Sequence, residues 1–190
     1  AFYSLMNFLS THDTPRILTV LGASHVPDSK AARAVCRLSP EERQLGLARL
    51  HLAALVLFTF PGSPTVYYGD EAGMEGWEDP FNRAGYPWGR EDTELKSWFT
   101  RLAQLRRDHP ALQSGQLHWR WTAGPILAFA RELNGQLLTT VVNAADTPQS
   151  LTLPWSGGAA REFLCHETLF PADNVLPLTL LPHQGLLLES

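Results

Sequence analysis

Three short stretches of this sequence group residue types that can bind or cleave polar molecules. His12-Asp13 follows the apolar run of residues 2–9. An imidazole beside a carboxylate can orient a substrate or share in proton transfer. The same pair also suits a helix-capping Asp with a polar neighbour. Asp70-Glu71 follows Thr65-Val66-Tyr67-Tyr68-Gly69. Adjacent carboxylates can hold a polar ligand or a cation, or accept backbone amides where a loop ends. The third stretch is Asp79-Pro80-Phe81-Asn82-Arg83, with Trp77, Tyr86 and Trp88 close by. Sugar rings stack their apolar faces on aromatics, and their hydroxyls take charge-assisted hydrogen bonds from a fixed Asp and Arg. An Asp–Arg pair four residues apart also staples an irregular loop, and the two roles are compatible.

These stretches need elements to position them. The apolar run 2–9 reads as a buried strand of a parallel sheet. Residues 14–38, with Pro15, Gly22 and Pro27, read as a long loop with at most one helical turn. Ser39-Pro40-Glu41-Glu42 then opens a helix with a capping box and proline at the first helical position. That helix carries Leu45, Ala48, Leu52 and Leu55 on one face and stops at Pro61-Gly62-Ser63-Pro64. Residues 65–69 read as a second strand, so the order is strand, helix, strand, with a right-handed crossover. Both His12-Asp13 and Asp70-Glu71 then lie at carboxyl ends of strands, where α/β folds bind ligands. Residues 69–91 form a long irregular loop of the kind that carries function. Thr93 caps a second helix with Leu95, Trp98, Phe99, Leu102 and Leu105 at helical spacing. The pair Arg106-Arg107 at its end suits the helix dipole. From Gln116 the period falls to two, and Asn134-Gly135 marks a hairpin. Further strands fit near 151–153, 162–165, 178–181 and 186–189, giving a small antiparallel sandwich of about seven strands.

Composition excludes several function classes. The chain has 190 residues, 44% hydrophobic and 18% charged, with a net charge of −4. Such a length allows one domain, or one and a half, and the composition is globular and excludes a disordered tail. It has no basic stripe, so no nucleic-acid partner is expected. The most apolar stretch, residues 52–60, is far shorter than the roughly 20 residues of a membrane span, so no membrane partner is expected. The sequence opens on Ala1 rather than Met, which reads as an internal position of a longer chain. Cys36 and Cys165 make no disulfide framework and favour a reducing compartment such as the cytoplasm. His166-Glu167 lacks a second His at ligand spacing, so neither a metal nor a cofactor is expected.

The three stretches also resemble a known family in order and spacing. Phe8-Leu9-Ser10-Thr11-His12-Asp13-Thr14-Pro15-Arg16 resembles the fourth sequence signature of the α-amylase family of glycoside hydrolases (family 13). Pro61-Gly62-Ser63-Pro64-Thr65-Val66-Tyr67-Tyr68-Gly69-Asp70-Glu71 is similar to that family's eighth barrel strand and its lead-in. Asp79-Pro80-Phe81-Asn82-Arg83, followed by Pro87-Trp88, is similar to a loop of the neopullulanase, cyclomaltodextrinase and maltogenic-amylase branch. Thr11 stands where many members have Asn, and Ala84-Gly85 replaces a more basic stretch.

The resemblance implies a fold and a reaction. Residues 1–112 would be the last quarter of a (β/α)8 TIM barrel, strands seven and eight with their helices. Residues 113–190 would be the β-sandwich C-terminal domain. The reaction implied is retaining cleavage of α-glucosidic bonds in maltodextrins, cyclodextrins or pullulan. Asp13 matches the transition-state-stabilising third carboxylate, and His12 the neighbouring hydroxyl-binding His. Asp79 and Arg83 match residues that hold the next sugar inward from the cleaved bond. The nucleophilic Asp and acid/base Glu of relatives fall before residue 1, so this chain alone is expected to be inactive. A partial barrel leaves sheet edges open, and a homo-oligomer is expected. The other reading is a non-catalytic carbohydrate-binding or assembly module.

Overall fold

The computed structural model describes residues 2–190, and the chain forms two compact units. One comprises residues 4–57 and 63–104. The other comprises residues 2–3, 58–62 and 105–190. The second unit is therefore discontinuous in sequence.

In the first unit, strand β1 (Met6–Phe8) pairs in parallel with β2 (Ser63–Thr65), in the register Met6↔Ser63 to Phe8↔Thr65. Both strands are shorter than the sequence pattern predicts. Residues 2–4 make a 3-10 turn instead of strand. The second strand lies earlier than residues 65–69, because the chain turns at Tyr67, whose carbonyl accepts from the Asp70 amide at 3.1 Å. Gly69 follows with φ 88°, a conformation that glycine adopts without strain. Two strands with only each other as partners extend no further than their shared ladder.

Residues 14–38 hold two short helices where one turn at most is expected: α1 (Ile17–Gly22) and α2 (Lys30–Val35). Ser29 caps α2 through the Ala32 amide, at 3.1 Å. Helix α3 (Pro40–Thr59) starts as the capping box predicts. The Glu42 amide donates to Ser39 Oγ at 3.2 Å, and Glu42 Oε2 accepts from the Ser39 amide at 2.9 Å. A Cβ on Gly46 would meet the Gly22 Cα at 3.0 Å, so α1 crosses α3 closely at two glycines. Helix α4 (Thr93–Asp108) buries Leu95, Phe99 and Leu102. Its cap is Asp92, whose Oδ1 accepts from the Leu95 amide at 3.1 Å, and not the expected Thr93. His51 packs its ring 5.4 Å from Trp98 and sets Nδ1 2.7 Å from the Leu47 carbonyl. That is a packed histidine, as its place on an apolar helix implies.

Glu42 supplies a pH test of this region. Hydrogen bonds from Ser24, then from the Ser39 amide, hold its carboxyl down to about 2 from an ordinary 4.5. The folded value lies below the unfolded one, so its contribution is present above pH 4.5 and is lost as pH falls toward 2. The α3 N-terminus should fray across that window, read as faster exchange of the Glu42 and Arg43 amides. Glu42→Gln should remove the acid step, and an unchanged profile would contradict the assignment.

The second unit carries the short helix α5 (Pro110–Ser114) and eight strands. They are β3 (Gln116–Trp121), β4 (Ile126–Leu133), β5 (Gln136–Asn143), β6 (Gln149–Pro154), β7 (Ala160–Glu162), β8 (Thr168–Leu169), β9 (Val175–Leu180) and β10 (Gly185–Glu189). They form a sheet of order β3-β4-β5-β10-β7-β8 and a separate β6-β9 pair. All their pairings are antiparallel. Asn134 and Gly135 both take positive φ and close the β4–β5 hairpin, as the Asn-Gly pair predicts. Val141 and Leu188 of the large sheet share a buried core with Leu153 and Leu176 of the pair. The strand expected at 162–165 sits at 160–162 instead. Buried Glu162 accepts from the Leu187 amide at 3.1 Å and from the Cys165 amide, which turns the chain away. Strand β8 has no counterpart in the sequence reading.

Two arginines, Arg131 buried and Arg106 half-buried, organise this unit. Arg131 has no exposed surface. It donates Nε and Nη2 to the Gly115 carbonyl and Nη1 to the Leu112 and Thr59 carbonyls, all within 3.1 Å. Arg106 donates to the carbonyls of Phe58, Phe60 and Gly62. The sequence analysis relates Arg106 only to the dipole of its own helix, and here it holds the Phe58 carbonyl in the last turn of α3 and the Phe60 and Gly62 carbonyls just beyond it. A cation at the carbonyl end of a helix is favoured by the helix dipole.

Candidate functional site

The site residues lie on two loops of the first unit. His12 and Asp13 sit in a turn after β1. Thr14 Oγ1 accepts from the Thr11 amide at 2.9 Å, and Thr11 Oγ1 accepts from the Asp13 amide at 3.1 Å. Asp79 precedes and Arg83 ends a 3-10 turn at Phe81–Arg83. That turn is seated on Gly76, where a Cβ would lie 2.3 Å from the Phe81 carbonyl oxygen. Gly76 in turn accepts from the Arg16 amide at 2.8 Å and donates to Thr19 Oγ1 at 2.9 Å.

The two loops meet. Arg83 Nε lies 3.2 Å from Asp79 Oδ1 and donates to the His12 carbonyl at 3.2 Å. Its Nη2 lies 3.8 Å from Asp13 Oδ1, and His12 Nε2 lies 3.2 Å from Asp13 Oδ2. Residues about seventy positions apart thus place two carboxylates, a guanidinium and an imidazole in one cluster. Asp13 is 72% exposed and Arg83 44%. Exposed ion pairs add little stability, so the cluster's contribution is positional. An open cavity of about 450 Å³ adjoins it, lined by Ser10, Thr11, His12, Asp13 and Tyr67 among others.

The other expected features resolve differently. Asp70 is buried and faces inward: Ser10 Oγ donates to it, and Arg16 Nη1 lies 3.2 Å away. Burial pushes its carboxyl above the usual range, and Ser10 and Arg16 oppose that. The Arg16 guanidinium lies against the rings of both Tyr67 and Tyr68, 4.3 and 4.6 Å from their centroids, and the two rings meet edge to face 4.8 Å apart. Glu71 accepts from the Gly69 amide at 2.8 Å, which is the loop-ending role. So the adjacent pair does not form a joint ligand site. Trp77 is buried and offers no ring to a ligand, whereas Trp88 is 79% exposed, 4.6 Å from the Tyr86 ring. Among the described residues no group of three His, Cys, Asp or Glu is gathered as a metal site. Among them, too, no helix is long and apolar enough to cross a membrane.

Sequence reasoning missed Asn82, which is wholly buried between the loops. Its Nδ2 donates to the carbonyls of His12 and Thr14 at 2.8 and 2.7 Å. It was visible only as a member of the 79–83 stretch, because its partners are backbone atoms that carry no sequence signal.

Residues 3–113 match the family model described as "Alpha amylase, catalytic domain". The chain belongs to the α-amylase family. Residues 122–187 match a second model, "Maltogenic Amylase, C-terminal domain". The chain thus holds the end of an α-amylase catalytic domain followed by a C-terminal all-β domain. It is similar to an amylopullulanase of Thermoanaerobacter thermohydrosulfuricus, 36% identical over 92% of this chain and 11% of that protein. It is also similar to neopullulanase 2 of Thermoactinomyces vulgaris, 31% identical over 99% of this chain and 30% of that one. Among solved structures, an Anoxybacillus α-amylase superposes with a TM-score of 0.81 at 26% identity. That match covers 98% of this chain and 38% of the other. The chain therefore spans about a tenth of the amylopullulanase and under a third of the neopullulanase.

Proposed function

We propose that this chain is the C-terminal part of a longer α-glucan-cleaving enzyme and furnishes one side of its active site. In this reading β1 and β2 are strands seven and eight of a (β/α)8 barrel, and the C-terminal domain begins at residue 113. The reaction is retaining cleavage of α-glucosidic bonds in maltodextrins, cyclodextrins or pullulan. A carboxylate attacks the anomeric carbon while a carboxylic acid protonates the departing oxygen, and water then releases the sugar. The nucleophilic Asp and acid/base Glu come from chain N-terminal to residue 1. Asp13 grips hydroxyls of the sugar at the cleaved bond and stabilises the flattened ring as positive charge develops. His12 shares those hydroxyls, and Asp79 and Arg83 hold the next sugar inward.

The observation that carries this reading is the convergence of His12, Asp13, Asp79 and Arg83 beside an open cavity. The names of the relatives support the substrate class. Self-association of the isolated chain belongs to the same reading, because Met6 and Phe8 of β1 and the preceding Leu5 are about half exposed without the rest of a barrel beside them.

The isolated 190-residue chain should release no reducing sugar from maltodextrin, cyclodextrin or pullulan. Distorting a sugar ring accomplishes nothing without a nucleophile and an acid. Turnover by highly purified chain that disappears in Asp13→Asn would overturn the division of labour proposed above.

A further inference from the structure

We propose that Asn82 is a positioning residue: it gathers the carbonyls of the 11–14 turn and thereby fixes His12 and Asp13 against Arg83. The inference rests on the functional reading above. Asn82 has no exposed surface. Its two amide hydrogens meet the His12 and Thr14 carbonyls at 2.8 and 2.7 Å, with the Thr11 carbonyl at 3.4 Å. All three acceptors belong to the one turn that carries the site's His and Asp.

The rest of its surroundings fits this single task. Asn82 Oδ1 is buried and accepts no hydrogen bond. An unsatisfied buried acceptor costs stability, so its retention implies that the donors are what the position requires. The turn bearing Asn82 cannot shift inward, because its backbone already touches Gly76. Gly76 is tied by hydrogen bonds to Arg16 and Thr19 at the start of α1. The amide therefore presents its hydrogens from a fixed base. Arg83, the next residue, reaches the same His12 carbonyl from outside at 3.2 Å. One carbonyl is thus held by a buried donor and by a residue of the site itself.

Asn82→Asp is the sharpest variant, since it keeps the shape and replaces the donors with an acceptor. Asn82→Ser retains one donor and serves where the Asp variant does not fold. In this chain, NMR should show the Thr11 and Asp13 amides exchanging at least about tenfold faster, with α3 amides unchanged. In the full-length enzyme, Asn82→Asp should lower kcat at least about tenfold with KM within about twofold. Combined with Asp13→Asn, it should cost less than about twofold more, because it acts through Asp13. Unaltered exchange at the turn, or a fully additive loss of kcat in the double variant, would overturn the proposal. If Asp13→Asn leaves kcat intact, the functional reading fails instead. The exchange rates alone then decide whether Asn82 positions the turn.

Discussion

Asp13→Asn in the full-length enzyme is expected to lower kcat by about a thousandfold, or ~4 kcal/mol, while KM moves by less than about threefold. The asymmetry follows from where the proposed function puts the carboxylate. Asn retains one oxygen of similar shape, so hydroxyls of the undistorted sugar still find an acceptor. It loses the negative charge, which matters most as the ring flattens and charge builds at the anomeric carbon. An interaction that strengthens only toward the transition state appears in kcat and not in ground-state binding. In the structure Asp13 is held by partners on both sides. His12 lies 3.2 Å from one oxygen and the Arg83 guanidinium 3.8 Å from the other. The turn also fixes its backbone through Thr11. Steady-state kinetics on a maltodextrin series decides the matter. A loss confined to KM would reassign Asp13 to ordinary substrate binding.

The second large effect is on stability. Arg131→Met should destabilise the β-rich unit by about 2–4 kcal/mol. Met fills most of the volume but donates nothing, so the carbonyls of Thr59, Leu112 and Gly115 are stranded in a dry site. Part of that cost is returned, because the variant no longer buries a cation. Burial, and then the Arg106 charge, pull the Arg131 guanidinium down to about 10, so it is still charged at neutral pH. Four hydrogen bonds to three carbonyls offset its desolvation. Urea unfolding followed by fluorescence of buried Trp155 provides the measurement. On this scale the thermal midpoint should drop by on the order of 10 °C or more. A change below about 0.5 kcal/mol would mean that water reaches those carbonyls unaided.

What the sequence disclosed divides by the range of the interaction. The start of α3 was legible because Ser39 and Glu42 are three residues apart and satisfy each other. The β4–β5 hairpin was legible because Asn134 and Gly135 fix their own φ values. The extents of β1 and β2 were not, since a parallel pair is limited by a partner more than fifty residues away. The two short helices in 17–35 were hidden by Pro27 and Gly22, which read as loop. Gly22 instead allows α1 to approach α3. In the candidate site, His12, Asp13, Asp79 and Arg83 were named from residue type and family resemblance, and the structure brings them together. Asn82, Arg16 and Arg131 were not singled out for chemistry or packing. Each is a polar residue whose partners lie on distant backbone or on side chains that local spacing does not reveal. Trp77 was misread for a related reason: an aromatic in a loop looks available until the loop is seen folded over it.

The discontinuity of the second unit bears on how this chain could be recombined. Residues 58–62 belong to that unit although more than forty residues separate them from its main body. They bring the Phe58, Thr59, Phe60 and Gly62 carbonyls, to which Arg106 and Arg131 donate. A crossover at residue 112 would therefore transplant Arg131 with the Gly115 carbonyl but without the Thr59 carbonyl that it also grips. The graft would tolerate a foreign side chain at 58–62, because the contact is to main-chain oxygens, but it would not tolerate a foreign helix length. Exchange of this unit is thus constrained less by its surface residues than by where the last turn of α3 stops.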